Sequence, residues 1–121
     1  MAEADEQMYL FNWVAFARNT IPEVDMIFHV PNGGSRDRRE AARLKAQGVR
    51  AGVPDLCLPV PSGGYHGLFI ELKVGKNKTS KEQEEWLGKL AEQGYKTAVC
   101  YGWEAAKNEI LGYLGKEIHY I

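Results

Sequence analysis

The chain has 121 residues, of which 45% are hydrophobic and 11% aromatic, and it carries a formal net charge of −1 at pH 7. This length and composition predict one compact domain over residues 1–121, and they exclude a membrane protein, because no apolar run approaches the roughly 20 residues that a transmembrane helix requires. The acidic N-terminus does not resemble a signal peptide, and Cys57 and Cys100 have no His or Cys at metal-ligand spacing, so we expect a cytoplasmic protein with neither a disulfide nor a zinc site.

The first predicted element is an amphipathic helix over about residues 4–19. Its apolar side chains recur at steps of three and four residues, and it ends before Pro22. A short strand over residues 26–30 and a turn or loop over residues 31–35 follow. The predicted buried face of the helix includes Met8, Phe11, Val14 and Ala15.

The second predicted helix is polar and runs from residue 35 or 36 to Gln47, with Gly48 as its C′ residue. It carries most of a basic block, because residues 36–50 hold six cations against two acids, whereas residues 1–25 hold five acids against one cation. The helix is either an ordinary solvated helix or a phosphate-contacting surface, and the lack of balancing acids four residues along favours the second. The six cations are Arg36, Arg38, Arg39, Arg43, Lys45 and Arg50.

Two apolar runs then form a predicted hairpin, with strands near residues 54–60 and 67–74 around a turn at residues 62–64. With the turn centred there, residues whose numbers sum to 126 face one another, which places Asp55 opposite Glu71 with Cβ atoms roughly 5 Å apart. Two carboxylates so close repel each other unless a divalent cation lies between them, because hard cations take oxygen ligands. The hairpin therefore predicts a metal site.

Lys73 lies on the same face of its strand as Glu71, because side chains alternate along a strand. An acid and a lysine in a strand are also typical of a solvated sheet face, which is the alternative interpretation. The run 67–70 is apolar on both faces, however, so the charges occur only where a central strand ends, and this favours a site. A second basic stretch without acids begins here and comprises Lys73, Lys76, Lys78 and Lys81.

The last three predicted elements are a helix, a strand and a helix. Thr79 or Ser80 is the predicted N-cap of the first, which ends before Gly94. The strand covers residues 96–101 and the final helix covers residues 103–114. The complete order is helix, strand, helix, strand, strand, helix, strand, helix, which predicts an α/β sandwich around a small mixed sheet.

The segments Gly52-Val53-Pro54-Asp55 and Glu71-Leu72-Lys73, followed by Gln83, resemble the motif of the PD-(D/E)XK nuclease superfamily, and specifically that of its virus-type replication-repair nuclease (VRR-NUC) domains. The likeness covers nearly the whole chain and is much more specific than the acid and lysine spacing alone. It also includes Glu6 in the first helix, the loop Pro31-Asn32-Gly33-Gly34, Arg36, and residues 48–52.

The resemblance implies a restriction-endonuclease-like α/β fold, with a small mixed sheet of about four strands flanked by helices. It also implies Mg²⁺ or Mn²⁺ as the cofactor, DNA as the substrate, and a homodimer of the stand-alone type found in phages and viruses, acting in the host cytoplasm. Branched or Holliday-type junctions are the implied form of DNA, because two active sites related by a twofold axis suit paired nicks.

Metal ligands follow from the same resemblance. Asp55 and Glu71 are expected to hold the metal, with the backbone carbonyl of Leu72 and the carboxylate of Glu6 as further oxygen ligands. Two neighbouring acids are alternatives to Glu6, namely Glu3 and Asp5.

The expected catalytic residues are Asp55, Glu71, Lys73 and Gln83. Lys73 orients or deprotonates the attacking water, or it neutralises developing negative charge, and these roles remain open at this point. Gln83 contacts Lys73 or a phosphate, or it is a solvated glutamine of a helix cap. The expected DNA-binding residues are Asn32, Arg36, Arg38, Arg39, Arg43, Lys45, Arg50, Lys76 and Lys78.

Two functions of different classes are consistent with these residues. The first is a metal-dependent DNA endonuclease that selects DNA structure, because a small domain has no separate module for reading sequence, and backbone contacts carry no sequence information. The second is a non-catalytic nucleic-acid-binding or scaffold protein, which the intact acids disfavour because carboxylates weaken phosphate binding. Nuclease action on RNA is also open.

The surface that would form the expected homodimer is not fixed by the sequence. Four aromatic residues belong either to the core or to a dimer interface, namely Trp13, Phe16, Trp103 and Tyr113.

Overall fold

The computed structural model describes residues 2–31 and 37–118. Over these residues there are four α-helices, one 3-10 helix and four strands, and none of the helices is long and apolar enough to cross a membrane. The helices are α1 (Glu3–Ala17), α2 (Arg38–Ala46), α3 (Lys81–Glu92) and α4 (Trp103–Leu114), with the 3-10 helix over Pro22–Met26, and the strands are β1 (Phe28–His29), β2 (Leu56–Leu58), β3 (Leu68–Lys73) and β4 (Lys96–Tyr101).

The four strands form one mixed sheet in the order β1-β2-β3-β4. The β1–β2 and β2–β3 pairs are antiparallel, whereas β3 and β4 are parallel. A parallel pair needs a crossover connection, and α3 supplies it. The predicted α/β fold, a small mixed sheet flanked by helices, is confirmed.

The central strand β3 is buried on both faces of the sheet. Leu68, Ile70 and Leu72 point into the hydrophobic core that α1 and α4 complete. Because side chains alternate, Phe69 points to the opposite face, where its ring contacts Tyr95 with centroids 5.3 Å apart. Glu71 and Lys73, near the end of β3, alternate in the same way as Phe69 and therefore face the side of the sheet on which α3 packs.

The β2–β3 hairpin has the predicted register. Leu56 pairs with Ile70, and the numbers of paired residues sum to 126 throughout the ladder. The tip is a tight turn at Gly63 and Gly64, whose φ angles of 58° and 89° suit glycine because it lacks a Cβ atom. The turn is offset from this ladder by one residue, because Ser62 bridges Tyr65 and their numbers sum to 127. The first arm therefore holds one residue more than the second between the turn and the ladder, so the alternation of buried side chains, and not the turn, fixes the register.

Two strands are much shorter than predicted, and β3 is one residue shorter at each end. The 3-10 helix that starts at Pro22 takes up Met26, so only two residues of the predicted strand 26–30 pair with β2. Pro54 and Pro59 flank the three residues of β2. Proline fixes φ and has no N–H to donate to a ladder, which explains both shortened strands.

The buried face of α1 also differs from the predicted face. Leu10, Trp13, Val14 and Ala17 are buried, whereas Met8 is 64% exposed. Of the predicted residues, Val14 is buried and Phe11 packs against the core, whereas Met8 and Ala15 are exposed. The apolar residues of α1 surround the helix rather than forming one stripe, so periodicity predicts its buried face only in part. Of the four aromatic residues whose place was open, Trp13 and Tyr113 are in the core, Trp103 packs against it, and Phe16 is exposed.

The basic helix α2 contains no buried residue. Its N-cap is Asp37, whose Oδ1 accepts a hydrogen bond from the backbone N–H of Arg39 at 2.9 Å. Gly48, with φ 102°, follows the C-terminal end as predicted. The predicted DNA-binding residues Asn32 and Arg36 lie outside the described residues.

Candidate metal centre

Asp55 and Glu71 meet where β2 begins and β3 ends. The β2–β3 register extends to place them opposite each other. The backbone N–H of Leu72 donates to Asp55 Oδ2 at 2.8 Å, which fixes the Asp55 carboxylate across the ladder. Since the N–H and C=O of one residue in an antiparallel ladder point to the same neighbouring strand, the Leu72 carbonyl also faces the Asp55 side. Two carboxylates and a carbonyl therefore converge.

A third carboxylate comes from the first residue of α1. Glu3, Asp55 and Glu71 each offer an oxygen, and these oxygens all lie within 4.8 Å of one another. Three acids at this spacing repel one another, and a hard divalent cation relieves the repulsion. Glu71 is 1% exposed, and its Oε1 is the only buried side-chain oxygen or nitrogen without a hydrogen-bond partner in the part of the chain that the structure describes. An orphaned acceptor beside two acids fits a divalent cation such as Mg²⁺ or Mn²⁺.

Glu6, the expected ligand from the first helix, lies outside this cluster. Its Oε2 instead accepts a hydrogen bond from the backbone N–H of Trp103 at 3.3 Å. Trp103 is the first residue of α4, and the N-cap residue Gly102 has no side chain to cap the helix. The Glu6 carboxylate therefore caps the N-terminus of α4 and interacts favourably with its helix dipole. Glu3, one of the two alternatives named from the sequence, lies beside Asp55 and Glu71 instead.

Lys73 contributes a buried ammonium group to the same volume. Its Nζ lies 3.8 Å from Glu71 Oε2, and the residue is only 8% exposed. A lysine is rarely buried so deeply without a partner, because removing its charge from water is costly. The acid and the lysine share a face of β3, as alternation along the strand predicts.

Gln83 connects α3 to the cluster through two sets of hydrogen bonds. Its backbone N–H donates to Ser80 Oγ at 3.2 Å, and its Oε1 accepts from the Ser80 N–H at 2.8 Å, which completes a capping box. Because Oε1 is thus occupied, the amide Nε2 points the other way and donates to Glu71 Oε2 at 3.3 Å. Gln83 is both a helix-cap residue and a contact of the carboxylate cluster, and the residue that it contacts is Glu71 rather than Lys73.

The surroundings of Glu71 change its acidity. Burial raises the pKa of Glu71 from its ordinary value of 4.5 to about 9, and the Asp55 carboxylate adds to the rise whereas Lys73 opposes it. Without a cation the carboxyl group is therefore protonated at neutral pH. A bound divalent cation reverses this preference, because carboxylates bind metals in the deprotonated form.

The connection from α2 to β2 packs against the first turn of α3. A Cβ atom on Gly52, which has φ 90°, would lie 2.6 Å from the backbone carbonyl carbon and oxygen of Glu82. The Arg50 guanidinium lies over the ring of Trp86, 5.8 Å from its centroid. Arg50, one of the predicted DNA-binding residues, therefore packs against α3, the helix that also carries Gln83.

The other predicted DNA-binding residues fall into two groups. Lys76 and Lys78 are exposed in the connection between β3 and α3, a few residues beyond Lys73. The remaining members are exposed on the separate helix α2 and comprise Arg38, Arg39, Arg43 and Lys45.

His29 is a neighbour of the cluster that sequence reasoning missed. Its Nδ1 lies 3.0 Å from the backbone oxygen of Asp55, which also accepts the N–H of Val30 at 2.7 Å. Since a carbonyl oxygen only accepts, Nδ1 carries the proton in this contact. Nothing in the spacing of the three histidines pointed to this role, because β1 meets β2 only through the folded sheet.

Two comparisons with known proteins found matches to this chain. The family model of the VRR-NUC domain matches residues 3–104. A solved structure described as a VRR_NUC domain protein is 34% identical to this chain, with a TM-score of 0.81, and the match covers 95% of this chain and 89% of that one. None of the curated proteins compared with the chain matches it. The sequence match spans every member of the carboxylate cluster, and the chain belongs to the VRR-NUC family, whose fold is of the nuclease type.

Proposed function

We propose that the protein is a metal-dependent DNA endonuclease that selects branched DNA. The observation that carries the proposal is the convergence of the Glu3, Asp55 and Glu71 oxygens within 4.8 Å, with the Lys73 ammonium 3.8 Å from Glu71. Membership of a nuclease-type family supports it. A protein that only binds nucleic acid gains nothing from carboxylates near phosphates, because they repel.

The proposed cofactor is Mg²⁺ or Mn²⁺. Glu3, Asp55 and Glu71 would hold it through carboxylate oxygens, and the carbonyl of Leu72 faces the same place. When bound, the cation supplies positive charge at the phosphate and makes water a stronger nucleophile at neutral pH. Glu6 is the less favoured ligand, because its carboxylate is engaged by the N-terminus of α4.

Lys73 is the chain's own positive charge at this centre. Because it is buried beside Glu71, its interaction with an anionic phosphate oxygen is screened less than at an exposed site. It either positions the attacking water or neutralises the charge that develops on the phosphate as the bond to the 3′ oxygen breaks. Gln83 holds Glu71 in place through its amide N–H, so that the carboxylate does not have to be ordered when substrate binds.

The proposed selectivity for DNA structure rests on the kind of contacts that are available. The exposed cations of α2 and of the β3–α3 connection suit phosphates, and phosphate contacts fix position without reading bases. A homodimer would present two centres related by a twofold axis, which suits paired nicks in the two strands of a junction. The oligomeric state is measured by sedimentation equilibrium of the purified protein.

The test compares wild type with Lys73→Ala on labelled four-way junction, flap, duplex and single-stranded DNA and on matched RNA. Each is incubated with Mg²⁺, Mn²⁺ or EDTA, and the products are resolved on a denaturing gel. We expect metal-dependent cleavage, strongest on branched DNA, that falls at least about 100-fold in Lys73→Ala. Lys89→Ala, which removes an exposed lysine of α3, serves as the control and should cleave like wild type.

Three outcomes would redirect the proposal. Cleavage that persists in EDTA would reject the metal centre, and full activity of a folded Lys73→Ala protein would reject the role of Lys73. Binding without cleavage under any metal would favour the non-catalytic alternative. Faster cleavage of RNA than of DNA would change the substrate class.

A further inference from the structure

The β3–α3 connection carries two exposed lysines and leaves the sheet at the metal centre. It begins directly after Lys73, and Lys76, Asn77 and Lys78 are all exposed. The chain reverses through a turn in which Gly75 has φ 58° and the N–H of Asn77 donates to a backbone carbonyl three residues earlier at 3.2 Å. A glycine-containing surface turn of this kind is flexible unless another part of the protein holds it.

The hydroxyl group of Tyr101 holds this turn. Tyr101 ends β4, where it pairs in register with Lys73 of the parallel strand β3, so the two side chains point to the same face of the sheet. Its hydroxyl donates to the backbone oxygen of Asn77 at 2.9 Å. That oxygen belongs to the residue between Lys76 and Lys78, so a single hydrogen bond restrains the backbone that carries both ammonium groups.

Tyr101 is 50% exposed, so the position does not require an aromatic residue for the core. An edge strand tolerates most polar residues at such a position. The hydroxyl reaches across to a connection that carries two exposed lysines and leaves β3 directly after Lys73, and this contact is what distinguishes Tyr101 from an ordinary exposed strand residue.

We infer that Tyr101 is a positioning residue that orders Lys76 and Lys78 for contact with the DNA backbone beside the bond to be cut. The inference rests on the proposed function. Ordering the turn before binding removes an entropic cost that would otherwise oppose complex formation. Tyr101 acts on DNA through the turn and not on the reacting atoms, so its loss weakens binding and leaves the rate of the saturated enzyme unchanged.

Tyr101→Phe is the test, because it removes the hydroxyl and keeps the ring. We expect the Kd for junction DNA to rise about twofold to tenfold, the range for one lost hydrogen bond. The single-turnover cleavage rate at saturating protein should stay within about twofold of wild type. Tyr65→Phe changes another tyrosine that is about as exposed, at 40%, and serves as the matched control with unchanged Kd.

A double-mutant cycle separates positioning from a general effect on the fold. Lys76→Ala/Lys78→Ala should weaken binding and lower the slope of log K against log salt by about 2. In that background Tyr101→Phe should cause no further loss, because the cations that it orders are gone. Hydrogen exchange of the free protein should show faster exchange in residues 74–80 of Tyr101→Phe than of wild type.

The inference is overturned by an unchanged Kd in Tyr101→Phe, by a loss that persists in full without the two lysines, or by a loss confined to the saturated cleavage rate. Binding is measured by fluorescence anisotropy with Ca²⁺ in place of Mg²⁺, so it does not depend on cleavage. A wild type that binds junctions but cuts nothing refutes the proposed endonuclease and still tests Tyr101. A wild type that binds no DNA refutes both.

Discussion

Glu3 and Glu6 lie one helical turn apart on α1 and have different partners. Glu3 offers an oxygen to the cluster with Asp55 and Glu71, whereas Glu6 accepts a hydrogen bond from the N–H of Trp103. Residues three apart share a helix face, so both acids point toward the same end of the sheet. Their different contacts mean that one should affect metal binding and the other the stability of the fold.

Replacing each acid by its amide tests this division. Glu3→Gln should weaken Mn²⁺ binding about tenfold or more, because the site loses a charged oxygen ligand. Its metal-free stability should stay within about 0.5 kcal/mol of wild type, because relief of the repulsion among the three acids offsets the lost interaction with the N-terminus of α1. Glu6→Gln should keep metal affinity within about twofold and lose roughly 0.5 kcal/mol of unfolding free energy, because a neutral group interacts less with the helix dipole. Calorimetric titration and urea unfolding measure the two quantities, and a loss of metal affinity in Glu6→Gln alone would return the ligand role to Glu6.

The sequence could place Asp55 opposite Glu71, since that pairing follows from the alternation of buried side chains in the two arms of the hairpin. It could not choose Glu3 from the three acids at the start of α1. That choice depends on how the helix rotates against the sheet, which Leu10 and Trp13 decide through long-range packing. The contact of His29 with Asp55 also depends on long-range packing, because β1 pairs with β2 only in the folded sheet.

At the scale of the elements, Gly52 sets how the α2–β2 connection docks on α3. Its positive φ and the 2.6 Å approach of a Cβ atom to the Glu82 backbone leave no room for a side chain. Asp55 lies three residues further on, and Gln83 directly follows Glu82. A shift at this contact therefore moves both the connection that leads to Asp55 and the helix whose Gln83 donates a hydrogen bond to Glu71.

Gly52→Ala should be more damaging than Gly48→Ala. Both glycines have positive φ, 90° and 102°, but a Cβ atom on Gly48 meets nothing within 4 Å. Gly48→Ala should therefore cost only the backbone strain, about 1–2 kcal/mol, whereas Gly52→Ala adds the clash and should cost at least about 2 kcal/mol more. Urea unfolding and metal titration of both variants measure this, and equal losses would mean that the close approach to α3 does not matter.

The elements themselves were predictable where local signals were strong. β4 and α4 have the predicted bounds, since a strand with β-branched or aromatic residues at alternate positions, Thr97, Val99 and Tyr101, is followed by a helix that ends at a glycine. β1 was predicted too long because the 3-10 helix is stabilised by Pro22 and by burial of Val24, which a strand pattern does not reveal. Local chemistry set the type of each element, and tertiary packing set the bounds of the shorter ones.

For the whole molecule, the carboxylate cluster is expected to lower the stability of the metal-free fold. Glu71 is buried, and its pKa is raised to about 9. Between pH 4.5 and 9 the folded protein holds a proton on Glu71 that the unfolded chain has released, so the folded state binds more protons. The unfolding free energy therefore falls as pH rises through this window, by roughly 1 kcal/mol per pH unit at most, and the loss is complete above the folded pKa. A divalent cation that replaces the proton restores stability, and does so more at higher pH.

Glu71→Gln isolates this contribution, because glutamine is neutral in both states and has nearly the same shape. In EDTA the variant should become increasingly more stable than wild type from pH 5 to pH 8, while Mg²⁺ or Mn²⁺ should stabilise wild type and have little effect on the variant. Urea unfolding at four pH values, with and without metal, gives both comparisons. Identical pH dependence of the two proteins in EDTA would mean that Glu71 is not protonated in the folded state. Equal stabilisation of both by metal would place the cation away from Glu71, and the centre that unites α1 with the β2–β3 hairpin would then have no carboxylate ligand in β3.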